Sequence, residues 1–199
     1  FGSLLLLVPL VRTAAAADRT LSPAGVTAVV DATTVADAAA FYRAFEHVDV
    51  AVADPPEGMT DLDVRRGAEA IPALEARGLS LHDVLSRSPD DSNATEWTTG
   101  FRRTFAAAAG IVDDEGPLTG RIARAFLDRL ATDEDTLVRT RHGAAVATEV
   151  RERAAAARGD PDAVAALDAD LLDRGINPGA TADLVTAAAF VALQRGVSV

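Results

Sequence analysis

The amino-acid sequence predicts an all-α protein, organised as one bundle-like domain of about eight helices over residues 1–199. Composition gives the first indication, because 49% of the residues are hydrophobic, only 5% are aromatic, and alanine supplies much of the apolar share. Alanine is the strongest helix former and is depleted in strands. Helix caps recur along the chain, whereas alternating apolar and polar stretches are few. We therefore expect at least half of the residues in α-helix and no sheet of three or more strands.

Capping residues predict the helices of the first half of the chain. Ser22-Pro23 combines an N-cap with a proline at the first helical position, and Thr34 to Asp37 has the spacing of a capping box. Ser88-Pro89-Asp90-Asp91 predicts, in the same way, a helix that continues to Gly110, with Asp91 at its third position. The buried stripe of this helix consists of three aromatic residues spaced four apart, Trp97, Phe101 and Phe105.

The segment between these helices has a different character. Asp49 to Thr60, with two adjacent prolines and Gly58, is the clearest loop. Val48 to Val52 is the best candidate for a strand, and it is short.

The second half of the chain predicts four helices. Leu118 to Leu130 is amphipathic, and a longer helix should run from about Glu134 to Arg158 and stop at Gly159. Asp160-Pro161 opens the next helix, which ends at Gly175. The last predicted helix runs from about Gly179 to Arg195 and is followed by Gly196.

The charge balance excludes some classes of function. Thirty acidic residues stand against nineteen basic ones, the formal net charge is -11, and every basic residue is arginine because lysine is absent. Such an acidic surface repels nucleic-acid phosphates. An excess of Asp and Glu without Lys suits a protein of a salt-loving cytoplasm, although a GC-rich genome would produce a similar composition. With no cysteine, the chain has no disulfide, thiolate zinc site or Cys nucleophile.

The first residues resemble a signal peptide only superficially. Leu4 to Val8 is apolar and Ala14 to Ala17 is small, but the basic segment that should precede them is missing. The chain opens with Phe1, and its only methionine is Met59. We therefore expect a chain that starts partway through an apolar helix, as the C-terminal part of a longer catalytic domain. No apolar run approaches the ~20 residues of a membrane span, so we expect no membrane association.

The most specific stretch lies before the last predicted helix, at Gly175-Ile-Asn177-Pro178-Gly179-Ala-Thr181-Ala-Asp183. Gly175 ends one helix, a tight turn follows, and the next helix then presents backbone N–H groups and the positive end of its dipole, which suits a phosphate. Asp183, just inside the first turn, could hold Mg²⁺ beside that phosphate. The alternative is that Thr181 and Asp183 only cap the helix.

A second set of candidates lies on one predicted helix. Asp135, Arg139 and His142 have the i, i+4, i+7 spacing that places a carboxylate, a guanidinium and an imidazole on one face. Arg141 is adjacent, and Gly143 would allow close backbone access. The alternative is a solvated Asp135–Arg139 pair with a partly buried His142.

A third set is acidic. Asp91 and Glu96, with Asp90, lie near the start of one predicted helix, where two or three carboxylates could bind a divalent ion. Asp91 also has a complete structural explanation as a capping-box residue.

These stretches, in this order, resemble the triphosphoribosyl-dephospho-coenzyme A synthase family, particularly its archaeal-type members. The Gly-x-Asn-Pro-Gly-x-Thr-Ala-Asp stretch at 175–183 resembles its most recognisable motif. Similar, weaker resemblances lie at Asp135-Thr136 leading to Arg141-His142-Gly143, at Asp91-Ser92 leading to Glu96-Trp97, and at Phe1-Gly2-Ser3. Two features depart from the pattern: the Asn-Thr and the N-terminal portion expected before Phe1 are missing, and Arg-His-Gly replaces the Arg-Gly-Gly of citrate-lyase-associated members.

The resemblance implies a Mg²⁺-dependent transferase that joins ATP to 3′-dephospho-coenzyme A and releases adenine. Asp135, His142 and Glu96 are the candidates for catalysis. The candidates for binding ATP are Asn177, Gly179, Thr181, Arg139 and Arg141, and those for the metal are Asp183 and Asp91. We expect residues 177–183 to lie beside Asp135 and His142 and to line one cleft for the Mg²⁺-triphosphate. Two alternatives are a Mg²⁺-dependent nucleotide hydrolase or phosphotransferase and a non-catalytic helical module.

Overall fold

Helix accounts for 73% of the residues that the structure describes, and the all-α prediction is confirmed. The computed structural model describes residues 1–18, 20–48, 50–52, 54–55 and 58–198, and within these ranges it contains twelve α-helices, two short 3₁₀ helices and no strand. The 3₁₀ helices span Thr60–Leu62 and Val64–Ala70. The α-helices are α1 (Gly2–Ala15), α2 (Pro23–Asp31), α3 (Val35–Phe45), α4 (Ile71–Arg77), α5 (Leu81–Leu85), α6 (Ser92–Thr99), α7 (Arg102–Asp113), α8 (Leu118–Thr132), α9 (Thr136–His142), α10 (Ala144–Ala157), α11 (Pro161–Asp173) and α12 (Gly179–Gln194).

The prediction of about eight helices is wrong, in part because two predicted helices are each divided at a glycine. The helix expected from Glu134 to Arg158 is broken at Gly143, whose φ of 87° and ψ of 164° lie outside the helical region. The helix expected to reach Gly110 is broken at Gly100 and Phe101, which have φ angles of 69° and 59°. The segment between α3 and α6 also forms short helices that the sequence pattern does not resolve.

The predicted start of α6 also needs correction. Ser88 does not cap it; the backbone N–H of Asp91 donates to Ser88 O at 3.1 Å and closes a turn, and the helix begins only at Ser92. Asp91 is itself the N-cap and accepts a hydrogen bond from Ala94 N at 2.8 Å. The three predicted aromatic residues are buried, but they do not lie along one helix, because Phe101 has a positive φ angle and interrupts the helix.

Other capping predictions are confirmed. Ser22 accepts from Gly25 N, and Thr34 forms the complete capping box with Asp37. Asp160 caps α11, with proline at the first position, as expected. The strand candidate Val48 to Val52 forms no strand at positions 48 and 50–52; its position 49 lies outside the described residues, as do positions 49, 53, 56 and 57 of the predicted loop.

The chain divides into two compact units by its internal contacts. The N-terminal unit comprises Phe1 and Ser3–Arg102, and the C-terminal unit comprises Gly2 and Arg103–Val199. In the N-terminal unit, α3 packs against α4, α5 and the second 3₁₀ helix, and α5 also contacts α2 and α6. Trp97 of α6 donates its indole N–H to Leu5 O of α1 at 3.1 Å, which ties the two helices together.

In the C-terminal unit, α10 packs against α8, α9 and α11, and α12 packs against α8 and α9. The apolar core of this unit contains side chains from α8 to α11 and from the segment after α11: Leu130, Val138, Ala147, Val150, Ala154, Ala157, Leu167, Leu171 and Ile176. Two arginines link α10 to α11 on the outside, because Arg174 donates to Glu149 at 2.6 Å and Arg153 to Asp170 at 2.5 Å. Exposed ion pairs of this kind contribute little stability individually.

The last helix, α12, is apolar nearly all round, as expected for a helix that is buried on most sides. Eight of its sixteen residues are buried, and Asp183 is its single ionisable residue. Among the described residues no single helix has the length and apolarity needed to cross a bilayer. Only α2 and α3, a pair bent by 89°, meet that criterion when taken together, and they do so by length and composition alone.

A buried tyrosine of the N-terminal unit reports on its folding. Tyr42 is 0% exposed, and its hydroxyl donates to Leu62 O at 2.5 Å. Burial, reinforced by the negative charge of Asp63, raises the pKa of Tyr42 to about 12. A free tyrosine ionises near pH 10, so the folded state disfavours the phenolate. The contribution to stability is therefore fully present below pH 10 and is lost as the pH rises from 10 to 12.

Because Tyr42 is the only tyrosine, phenolate absorbance measures this pKa directly. We expect the folded protein to titrate near pH 12 and the urea-unfolded protein to titrate near pH 10. Tyr42→Phe should lower the free energy of unfolding at pH 7 by about 1–2 kcal/mol, since it leaves the Leu62 carbonyl without its donor. Titration of the folded protein near pH 10 would contradict the buried hydrogen bond.

Candidate functional site

The turn before α12 is held from both sides. Gly175, with a φ of 62°, ends the preceding helix, and Ile176 donates its backbone N–H to Leu171 O at 2.8 Å and packs into the core. On the other side, Gly179 donates to Asn177 O at 2.8 Å. A Cβ at Gly179 would stand 2.6 Å from Leu137 Cδ2, so a larger residue here would have to displace the end of the Leu137 side chain, which packs on Gly179 where α12 meets α9. Asn177 is exposed between these two anchored points.

Asp135 joins the beginnings of two helices. It is the N-cap of α9, where its Oδ1 accepts from Leu137 N at 2.9 Å and from Val138 N at 3.0 Å. Its Oδ2 accepts from Thr181 N, in the first turn of α12, at 2.7 Å. Asp135 is only 2% exposed. A buried carboxylate is costly unless hydrogen bonds satisfy it, and here three backbone N–H groups, at the positive ends of two helix dipoles, do so.

The expected proximity of Asp135 to residues 177–183 is therefore confirmed, but the contact differs from the one expected. Pro178 occupies the N-cap position of α12, and the N–H of Thr181 in the first turn is bound by the carboxylate of Asp135, which comes from the start of α9. Asp183 is the fifth residue of the helix and lies beyond the first turn. The backbone N–H groups at this helix start were expected to suit a phosphate, but the N–H of Thr181 is already bound by the Asp135 carboxylate. The start of α12 is thus less open to phosphate than predicted.

The predicted common face of Asp135, Arg139 and His142 is only partly formed. Asp135 points inward, whereas the Arg139 side chain is 50% exposed and pairs with Glu134 at 3.6 Å. The alternative of a solvated Asp135–Arg139 pair is wrong for the same reason, since backbone N–H groups hold the carboxylate. His142 is half-buried at the end of α9, and Arg141 is exposed.

A further helix start, which the predicted helix from Glu134 to Arg158 does not include, follows at α10. Because Gly143 interrupts the helix, α10 begins immediately after the last turn of α9. That turn contains three basic residues: Arg139, Arg141 and His142. Among the described residues, no side chain caps α10, and positions 143–145 are exposed. The signal that could have shown this is Gly143 itself, since a glycine after a basic last turn is typical of a helix end. Uncapped N–H groups beside cationic side chains favour an anionic ligand.

Asp183 has an unusual setting. It is the single charge in a sixteen-residue apolar helix, and its side chain is half-buried near the anchored turn. Thr181, two residues earlier, is buried. The role of Asp183 as a metal ligand stays a prediction.

Asp91 and Glu96 belong to the N-terminal unit. Asp91 is exposed and caps α6, as described above, while Glu96 is 0% exposed and its carbonyl accepts from Phe101 N at 2.9 Å. Within the described ranges, no three His, Asp or Glu side chains are gathered closely enough to hold a metal ion. The predicted roles of Asp91 and Glu96 remain predictions.

Fold and site together define a class of protein. It is an all-α protein whose candidate residues lie at helix ends, with an internal carboxylate joining two helix starts and a basic turn preceding a third.

The chain belongs to the ATP:dephospho-CoA triphosphoribosyl transferase family, because the CitG family model matches residues 1–198. It is therefore a transferase of the triphosphoribosyl-dephospho-CoA synthase type. The family description names ATP and dephospho-CoA as the substrates. Among curated proteins, none matches the sequence.

A solved structure supports the fold independently. The crystal structure of an Archaeoglobus fulgidus protein, provisionally described as a triphosphoribosyl-dephospho-coA synthase, matches with a TM-score of 0.80 and 24% sequence identity. The match covers 99% of this chain and 82% of that chain. At this identity the similarity shows the all-α fold alone.

The double contact of Asp135 generates a stability prediction. In Asp135→Asn the side-chain oxygen can still cap α9, but the amide NH₂ then faces the N–H of Thr181, and two donors oppose each other. We expect the free energy of unfolding to fall by about 1.5–3 kcal/mol, the range for a hydrogen bond to a charged group. Denaturant unfolding of the whole chain measures this change.

Asp160→Asn is the matched control. Asp160 also caps a helix with one oxygen, accepting from Asp162 N at 3.0 Å and Ala163 N at 3.2 Å, both in its own helix. Asparagine serves nearly as well as aspartate at such a position, so this substitution should change stability by only a few tenths of a kcal/mol. Equal losses in the two variants would show that the contact with Thr181 contributes nothing.

Proposed function

We propose that this transferase moves the triphosphoribosyl group of ATP to the ribose 2′-hydroxyl of 3′-dephospho-coenzyme A, or of a related acceptor, and releases adenine. The observation that carries the proposal is the family match over residues 1–198. In the proposed reaction a C–O bond forms between the acceptor oxygen and C1″ of the ATP ribose while the C–N bond to adenine breaks. The hydroxyl loses a proton, adenine gains one, and the triphosphate is retained.

The triphosphate requires local positive charge, because the protein carries a net charge of -11. We place the triphosphate at the junction of α9 and α10, where Arg139 and Arg141 precede the uncapped start of α10. Arginine binds phosphate oxygens in bidentate fashion, and helix N–H groups add further donors. This placement differs from the start of α12, where Asp135 holds the N–H of Thr181.

Mg²⁺ is the cofactor that the proposal includes. It prefers one or two carboxylates together with substrate phosphates over a cage made only of protein ligands. Asp183, a half-buried carboxylate in an apolar helix, fits such a role as one ligand. The bound ion would neutralise part of the triphosphate charge.

The proton movements need two groups. His142 lies half-buried beside Gly143, at the basic turn proposed for the triphosphate, and is our proposed donor to the departing adenine. The proton of the acceptor hydroxyl passes to a carboxylate that acts as the base. Positive charge on C1″ develops as in glycoside cleavage, so negative groups near that carbon would stabilise the transition state.

The reaction is tested by incubating the protein with ATP, Mg²⁺ and 3′-dephospho-coenzyme A and separating the products by chromatography. We expect free adenine and a product whose mass equals that of the acceptor plus the triphosphoribosyl group. Omission of the acceptor should stop adenine release. ADP or AMP without adenine would indicate a nucleotide hydrolase or phosphotransferase, and no turnover would indicate a non-catalytic module; either result would overturn the proposal.

Asp183→Asn tests the proposed metal ligand. The neutral amide keeps the size and helical position of the side chain but is a poor ligand for Mg²⁺, so the fold should persist while turnover falls by about 10- to 100-fold. Added Mg²⁺ should restore part of the lost rate. Asp168→Asn, at an exposed position of α11, is the control and should leave the rate unchanged. A wild-type rate and Mg²⁺ dependence in Asp183→Asn would remove Asp183 from the metal site.

A further inference from the structure

The contacts of Asp135 leave little of its carboxylate for chemistry. Three backbone N–H groups from two helices point at its two oxygens, and 2% of the residue is exposed. A general base must come within hydrogen-bond reach of the proton that it removes. A carboxylate buried between two helix starts is not placed for that step, although the resemblance of Asp135-Thr136 to a family motif made it a catalytic candidate.

The same contacts also fix the turn that precedes α12. On one side Ile176 is inserted in the core; on the other, Thr181 is tied to Asp135 and Gly179 is packed on Leu137. Between these points Asn177 stands exposed, with its backbone carbonyl bound to the N–H of Gly179. An exposed amide on a backbone held at both ends has the arrangement of a group that contacts a ligand, because its position is set before the ligand arrives.

We infer that Asp135 is a positioning residue: by holding the Thr181 N–H, it fixes the turn that presents Asn177 to the substrate. Asp135 does not exchange protons with the substrate; it acts through the backbone. The kinetic part of this inference rests on the proposed function, whereas the structural part does not.

Amide hydrogen exchange tests the structural part. Asp135→Ser keeps an N-cap for α9, because serine is a good capping residue, but its single, shorter oxygen cannot also reach Thr181. We expect the Thr181 amide to exchange at least about tenfold faster than in the wild type, because it loses a hydrogen bond to a charged group. Asp160→Ser, which alters a cap that serves one helix only, should leave exchange at Thr181 unchanged. Asp135→Asn provides a milder variant if Asp135→Ser does not fold.

Kinetics test the link to Asn177. Loss of the anchored geometry should lower kcat/KM for adenine release by about 100-fold in Asp135→Ser, the effect of a displacement of roughly 1 Å. The shape of the pH profile of kcat should be retained, because no titrating base is removed. Asn177→Ala, at an exposed position, should fold normally, raise KM more than it lowers kcat, and add little to the effect of Asp135→Ser in the double variant.

Three results would overturn the inference. One is wild-type exchange at Thr181 in both Asp135 variants. Another is the disappearance of the acidic limb of the pH profile in Asp135→Asn, which would make Asp135 the base. The third is wild-type kinetics in Asn177→Ala. If the wild-type protein releases no adenine, the proposed function is wrong and with it the kinetic role, while the exchange measurements still decide whether Asp135 anchors the turn.

Discussion

The arrangement of the C-terminal unit depends on one carboxylate placed between two helix starts. Each helix start carries unsatisfied N–H groups and a partial positive charge. The Asp135 carboxylate accepts hydrogen bonds from both helix starts, through Oδ1 from α9 and through Oδ2 from α12. Burial removes the carboxylate from water, and hydrogen bonds from three backbone N–H groups offset the cost of this lost hydration. The contact also holds the start of α12 close to α9. At this point Gly179 of α12, which has no side chain, packs on Leu137 of α9.

The break at Gly143 complements this arrangement at the opposite end of α9. A helix of seven residues is only about 10 Å long, so the buried carboxylate and the exposed basic turn are separated by a short, rigid element. At one end the positive charge of a helix start is neutralised inside the protein; at the other, the start of α10 is exposed beside Arg139, Arg141 and His142. The two ends therefore differ in their capacity to bind an external anion.

Charged groups have different consequences on the surface of the protein and in its interior. On the surface, the acid-rich and lysine-free composition produces arginine pairs such as Arg174 with Glu149, which lower the pKa of that glutamate by hydrogen bonding and by charge. These pairs are exposed and contribute little stability individually. In the interior a charge is placed with far more constraint, as at Asp135, because it must be compensated in a medium of low dielectric constant.

The sequence by itself determined the fold class, the approximate limits of α8, α11 and α12, and the starts of α2 and α3. Local backbone energetics explain why these features can be interpreted without knowledge of distant contacts. They are the alanine content, the glycines near helix ends and the caps at Ser22, Thr34 and Asp160. Only the tertiary structure decided which partner each polar group finds. Asp135 was expected to share a helix face with Arg139, four residues away, and to lie beside residues 177–183; the structure shows that its carboxylate binds the N–H of Thr181, forty-six residues away, and not Arg139. Helix periodicity describes which residues share a face, whereas the choice between a neighbouring guanidinium and a distant backbone N–H depends on how helices pack.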